Sequence, residues 1–286
     1  MTKRKEEGMS DNWIVQNISR ALQMWNEKLS EIWILLSIPP QEFRNGDIWR
    51  IICTLHSVLQ ALGYALLVLF FTAGVLKTCG SFAELKRPET ALRVFLRFAL
   101  AKAAVTYGME LMTSMIRIGQ GIISRMIDAS GISGAVPYEV PQELAAAIES
   151  CGFLESVPLW AVTLIGSLIV WILSFSLILN VYGRFFRIYL YVAAAPLPLA
   201  AFAGEPTQNI GVSFIRSFAG VCLEGAVTAL ACVIFSAFAA AAPAADPSAA
   251  PAAMVWSWYG ETIFNMLILT GTVRMSDRAV REITGI

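Results

Sequence analysis

The stretch SVPLWAVTLIGSLIVWILSFSLILNVYG, residues 156–183, contains no Asp, Glu, Lys or Arg. A helix of ~20 apolar residues crosses the ~30 Å hydrocarbon core of a bilayer, and this run exceeds that length. A second run free of those four residue types, Ile51 to Leu76, lies in the first third of the chain. Composition agrees, since 57% of the 286 residues are hydrophobic and 15% are charged, against about 25% charged in a soluble domain. Repeated runs of this kind predict an all-α fold, a polytopic transmembrane helical bundle.

Working outward from residues 156–183, the clearest span is expected over Pro158–Tyr182, with Arg184 and Arg187 capping it. Ile188–Gly204 follows as a short apolar stretch interrupted by Pro196 and Pro198. A broken element of this kind is tolerated at membrane depth only when buried in protein or facing a cavity, so a Pro-broken re-entrant segment is expected. Other spans are expected near 56–76, 91–127 (as one long helix), 214–240 and 255–273. The first 50 residues form a separate amphipathic helical region ahead of a transmembrane domain over 51–286. In that region Ile14, Ile18, Leu22, Trp25, Leu29, Ile32 and Leu36 recur at steps of four and three, within an arc of about 80° on a helix. Asp11 is the expected N-cap and Pro39-Pro40 the stop. Such a helix lies in the membrane interface, packs on a partner, or packs on its own bundle. Trp13, Trp25, Trp33, Trp49, Trp256 and Trp258 read as interfacial anchors.

Charge orients the bundle. The loops at 77–93 and 183–187 and the tail at 274–281 are basic, whereas those at 128–157 and 241–253 hold acidic residues and no Lys or Arg. Basic residues accumulate on the cytoplasmic side. With residues 188–204 not crossing, five spans put the N-terminus outside and the C-terminus in the cytoplasm. Seven Lys or Arg among the first fifty residues oppose this orientation. The N-terminus also lacks the apolar core of a secretory signal peptide.

Lys and Arg total 21 and so do Asp and Glu, which argues against a general nucleic-acid-binding surface. The five cysteines form no CxxC pair and no zinc spacing, so no disulfide framework or metal site is expected. No P-loop, HExxH or GxSxG motif occurs, and the one histidine, His56, has no evident metal partner. Neither an enzyme nor a cofactor is expected.

The most informative pattern is polar. Lys102, Thr106, Glu110, Thr113, Arg117, Gln120 and Ser124 share one helical face. An ionisable group facing lipid at the centre of a span costs at least ~2.5 kcal/mol, so the stripe should face a pore, a partner subunit, water or its own bundle. Glu224, deep in FAGVCLEGAVTALA, is the other misplaced charge. It serves a proton or ion pathway, a structural hydrogen bond, or a pair with an arginine from another helix, and Arg216 two turns earlier helps to offset it. Gly220 and Gly225 lie among alanines that permit close helix approach.

The stretch RFFRIYLYVAAAPLPLAAFAG at 184–204, with FIRSFAGVCLEGAV close behind, resembles the TrbL family. These are polytopic inner-membrane proteins of conjugative type IV secretion systems, and the chain's length and lack of a signal peptide resemble the versions carried on mobile elements of Gram-positive bacteria. The resemblance extends from about residue 50 to the C-terminus and is sharpest at 184–226. It implies a channel or scaffold subunit of a complex that transfers protein-bound DNA, in the bacterial cytoplasmic membrane. It also implies other membrane subunits and ATPases as partners, and a homo-oligomer within the lipid bilayer. Arg184, Arg187, Pro196, Pro198 and Glu224 belong to the family-like core, with structural roles first. The alternative is the membrane component of a small-molecule transporter or permease, which would use Glu224 and the polar stripe as its pathway.

Overall fold

The computed structural model describes residues 12–78, 88–131, 134, 137–239 and 250–284. Among these, nine α-helices and two short 3-10 turns account for the regular structure, and there is no strand. The helices are α1 (Trp13–Ser37), α2 (Asp47–Thr78), α3 (Pro88–Thr106), α4 (Gly108–Ser130) and α5 (Gln142–Ser150), followed by α6 (Phe153–Ala194), α7 (Pro196–Ala200), α8 (Gln208–Ala239) and α9 (Pro251–Thr284). The all-α bundle expected from the apolar runs is therefore present. The basic residues Lys3, Arg4, Lys5, Lys86 and Arg87, the N-cap expected at Asp11 and most of the 241–253 loop lie outside the described residues.

Among the described residues, three helical stretches are long and apolar enough to cross a bilayer: Phe43–Lys77, Ser156–Ala194 and Gln208–Ala239. The other two expected crossings, over 91–127 and 255–273, are not among them. The first carries Arg93, Arg97, Lys102, Glu110, Arg117 and Arg125, and the second carries Glu261 and Asn265.

Several elements differ from expectation. Arg184 and Arg187 do not end the long helix, which continues through both to Ala194. The break comes at Pro196, whose ring and missing N–H stop an α-helix where an arginine does not. Residues 91–127 are two helices, α3 and α4, parted at Tyr107. Hydrogen bonds still cross that joint, from Tyr107 N–H to Ala103 O at 2.8 Å and from Leu111 N–H to Tyr107 O at 3.0 Å.

By packing, the chain forms two compact units, Met1–Leu36, Met126–Val181 and Thr228–Met275 in the first, and Ser37–Arg125, Tyr182–Val227 and Ser276–Ile286 in the second. In the first unit, Asn12 caps α1 by accepting the Ile14 N–H at 3.0 Å, the role of an N-cap side chain. The apolar face of α1 is inside: Ile14, Ile18, Leu22, Trp25, Leu29, Ile32 and Leu36 are all buried. Of the three roles open to this helix, packing on its own bundle is the one observed. Trp25, Trp33 and Trp258 are buried core residues rather than interfacial anchors, whereas Trp13 and Trp256 are exposed. Asn26 and Tyr138 exchange two hydrogen bonds, Asn26 Nδ2 to Tyr138 O at 2.9 Å and Tyr138 N–H to Asn26 Oδ1 at 3.0 Å, which ties the segment before α5 onto α1. Buried hydroxyls in this unit return to their own helix, as from Ser174 to Val170 O at 2.7 Å and from Thr270 to Met266 O at 2.8 Å. Ser167 additionally meets Tyr259 at 3.0 Å. Short back-bonds of this kind let a hydroxyl be buried without an unmet polar group.

The second unit is built around the proline break. Its core gathers Leu67 of α2, Val105 of α3, Met112 and Ile116 of α4, Val192 and Leu199 flanking the break, and Phe218 of α8.

Candidate functional site

Pro196 and Pro198 lie in the middle of the second unit, where Ala195, Leu199, Ala200 and Ala201 are fully buried. A proline has no N–H, so Pro196 leaves the Val192 carbonyl, four residues earlier, without its helical hydrogen bond. His56 of α2 replaces it: its Nδ1 is 2.7 Å from Val192 O. A carbonyl only accepts, so the proton is on Nδ1. The single histidine thus repairs the helix break. Tyr189 adds a bond from its hydroxyl to Pro40 O at 2.9 Å, and Thr207 one to Ala201 O at 2.7 Å.

Close backbone approach seats the break on α2. A Cβ on Gly63 would come within 2.8 Å of Pro196 O, and one on Gly74 within 2.9 Å of the Gly204 Cα. Only hydrogen fits at those two positions. Glycines 11 residues apart are three helical turns apart on one face. Phe43 stacks on Phe185 at 4.6 Å and anchors the linker, where Arg44 and Asn45 adopt left-handed φ angles of 50° and 58°.

A charged cluster lies beside the break. Arg187 donates to Glu224 of α8 and, at 3.1 Å, to Asp277 of α9, which also pairs with Arg281 at 3.3 Å. Glu224 is only 8% exposed against 35% for Arg187. The carboxylate is therefore matched by an arginine of another helix, one of the roles open to it from sequence. Arg216, expected to offset it, is exposed on the surface. Arg184 is buried against Gly225, where any Cβ would collide with its guanidinium. Gly225 therefore serves packing within this chain.

The polar stripe lies elsewhere in the same unit. Lys102, Thr106, Glu110, Arg117 and Ser124 are exposed, and Thr113 and Gln120 are partly so. The adjoining face of α3 and α4, about 100° around the helix, with Ala101, Val105, Met112, Ile116 and Ile123, is buried. The stripe thus points away from the core on both sides of the joint at Tyr107. Two α2 residues join it: Gln60 Nε2 donates to Val105 O at 2.9 Å, and the Tyr64 hydroxyl meets Thr106 Oγ1 at 3.0 Å. Their 60/64 spacing on one face was the available signal. Glu110, Thr113 and Arg117 line a depression of about 290 Å³ with Met109 and Ser114. Among the described residues no group of His, Cys, Asp and Glu is arranged to hold a metal.

The site residues fall into two groups. Arg184, Arg187, Pro196, Pro198 and Glu224 gather at the break and its ion cluster, and the seven stripe residues form the exposed band. A family described as "TrbL/VirB6 plasmid conjugal transfer like protein" matches residues 25–196. That match takes in the stripe, Arg184, Arg187 and Pro196 but stops before Pro198 and Glu224, and it starts inside α1. No curated protein and no solved structure matches the chain.

Proposed function

This chain belongs to the TrbL/VirB6 plasmid conjugal transfer-like family, and from that premise we propose that it is a channel or scaffold subunit of a conjugative DNA-transfer complex. It is a membrane component of conjugal transfer, and partner subunits of a secretion system come with that family. The observation that carries the finer role is the exposed band on α3 and α4. Lys102, Glu110 and Arg117 are exposed, and so are Leu100, Leu111 and Ile118 on another side of the same two helices. A charge facing lipid at the centre of a span costs about 2.5 kcal/mol or more, and the helices that carry these three are not among the stretches apolar enough to cross a bilayer. A band of this kind is stable against a partner subunit, a second copy, or a water-filled path. The chain acts in this role as a non-enzymatic part, held in the cytoplasmic membrane with its C-terminal tail inside by the distribution of basic residues.

The transporter alternative needs Glu224 available to a moving ion, and Glu224 is engaged by Arg187. Two independent features therefore favour an assembly role. Deleting the gene from its mobile element and measuring mating efficiency tests this, with complementation by the wild-type gene. Loss of transfer restored by complementation is the expected outcome. Undiminished transfer from the deletion strain would remove the transfer role.

A further inference from the structure

The second unit carries a groove of about 790 Å³ that the transfer role does not use. The volume is within the roughly 300–1,000 Å³ of small-molecule sites. Its wall is α3, where Leu92, Leu96 and Leu100 follow one another at steps of four and are 60%, 51% and 69% exposed. Phe202, after the proline break, closes the far side. The polar side chains from α3, Glu89, Arg93 and Arg97, belong to the first half of that helix. Arg97 is tied to Glu205 at 3.3 Å, which leaves Arg93 as the exposed cation among the lining arginines. The lining is thus graded, charged at one end and apolar at the other.

We propose that this groove binds one membrane glycerophospholipid with an anionic headgroup, its phosphate on Arg93 and an acyl chain along Leu96, Leu100 and Phe202. Length supports the match. From Leu92 to Ala104 the helix rises ~18 Å at 1.5 Å per residue, close to the ~15 Å depth of one leaflet's hydrocarbon. Charge supports it too: Lys77, in the last turn of α2, is exposed. Basic pockets between helices on the cytoplasmic side select anionic headgroups. A free phosphate would meet Arg93 but has no use for the leucine rail.

The test uses the full chain, delipidated in mild detergent, with phosphatidylglycerol or phosphatidylcholine added and occupancy read by native mass spectrometry. The expected result is preferential binding of phosphatidylglycerol, with Arg93→Gln lowering its occupancy about fivefold, the equivalent of about 1 kcal/mol for one arginine at a membrane surface. Phosphatidylcholine, whose choline cation offsets its phosphate, should lose less occupancy in that variant, and Leu100→Trp, which fills the rail, should lower both. Arg278→Gln, an exposed arginine elsewhere in the unit, should change neither. Equal binding of the two lipids by the wild type, or unaltered binding by Arg93→Gln, would overturn the proposal. Displacement of the lipid by glycerol 3-phosphate alone would replace it with a soluble phosphate site. A dimer that excludes lipid would replace it with a contact between copies.

Discussion

Replacing His56 by leucine should destabilise the second unit by an amount set by a single carbonyl. Val192 O receives no hydrogen bond from Pro196, and the His56 Nδ1–H at 2.7 Å is what satisfies it. His56 is 3% exposed, so water cannot take over. A buried acceptor left unmet costs about 1–3 kcal/mol. Hydrogen-bond couplings measured inside membrane proteins centre lower, near 0.6 kcal/mol, because the unfolded chain also finds partners in the membrane. His56 Nε2 is itself buried without a hydrogen-bond partner and leucine removes it, so the expected loss is at the low end, about 1 kcal/mol or less. The distinctive part is the rescue. In Pro196→Ala the new N–H at 196 can donate to Val192 O, because Ala195 already has helical φ and ψ of −49° and −40°. His56→Leu should then cost much less in the Pro196→Ala background than in the wild type. Unfolding of the full chain by SDS titration in mixed micelles, followed through its eight tryptophans, gives the four free energies of the cycle. Additive effects of the two substitutions would refute the link between the histidine and the proline break.

Two further substitutions test neighbouring parts of the same unit. Arg187→Met removes the guanidinium that donates to Glu224 while the Arg184 charge stays nearby, so it should cost about 1–3 kcal/mol, below the full cost of breaking a buried pair. The double variant with Glu224→Met should be more stable than that single one, a comparison the same titration makes. Gly63→Val places a Cβ within 2.8 Å of Pro196 O and should cost about 1–3 kcal/mol by overpacking, whereas Gly121→Ala, with nothing within 4 Å of its Cβ, should be tolerated when membrane abundance is compared by blotting.

What was legible in the sequence was whatever a period or a charge gap records. The uncharged run at 156–183 became part of α6, and the three-four spacing of α1 became its buried face. The stripe from Lys102 to Ser124 kept one face across a joint that was not expected. The end of α6 was misplaced because arginines mark membrane boundaries in general, while here Arg187 turns toward Glu224 and Asp277, partners 37 and 90 positions away. His56 reads in the sequence as a lone histidine because its partner is a backbone carbonyl, for which side-chain patterns hold no sign. Pro196 did carry a clue, since the carbonyl four residues before any buried proline needs another donor. Gly63 and Gly74 show only in three dimensions that they are seats for a neighbouring backbone. The three tryptophans of the core were misassigned because aromatic anchors and aromatic cores share one composition.

The most direct measurement on the exposed band is transfer by the variant Lys102→Leu/Glu110→Leu, expressed in the deletion strain and normalised to its abundance in the membrane. Both side chains are exposed and belong to no ion pair among the described residues, so the variant should accumulate like the wild type. The expected result is normal abundance with transfer lost. Wild-type transfer at normal abundance would contradict a role for the band in the conjugation complex.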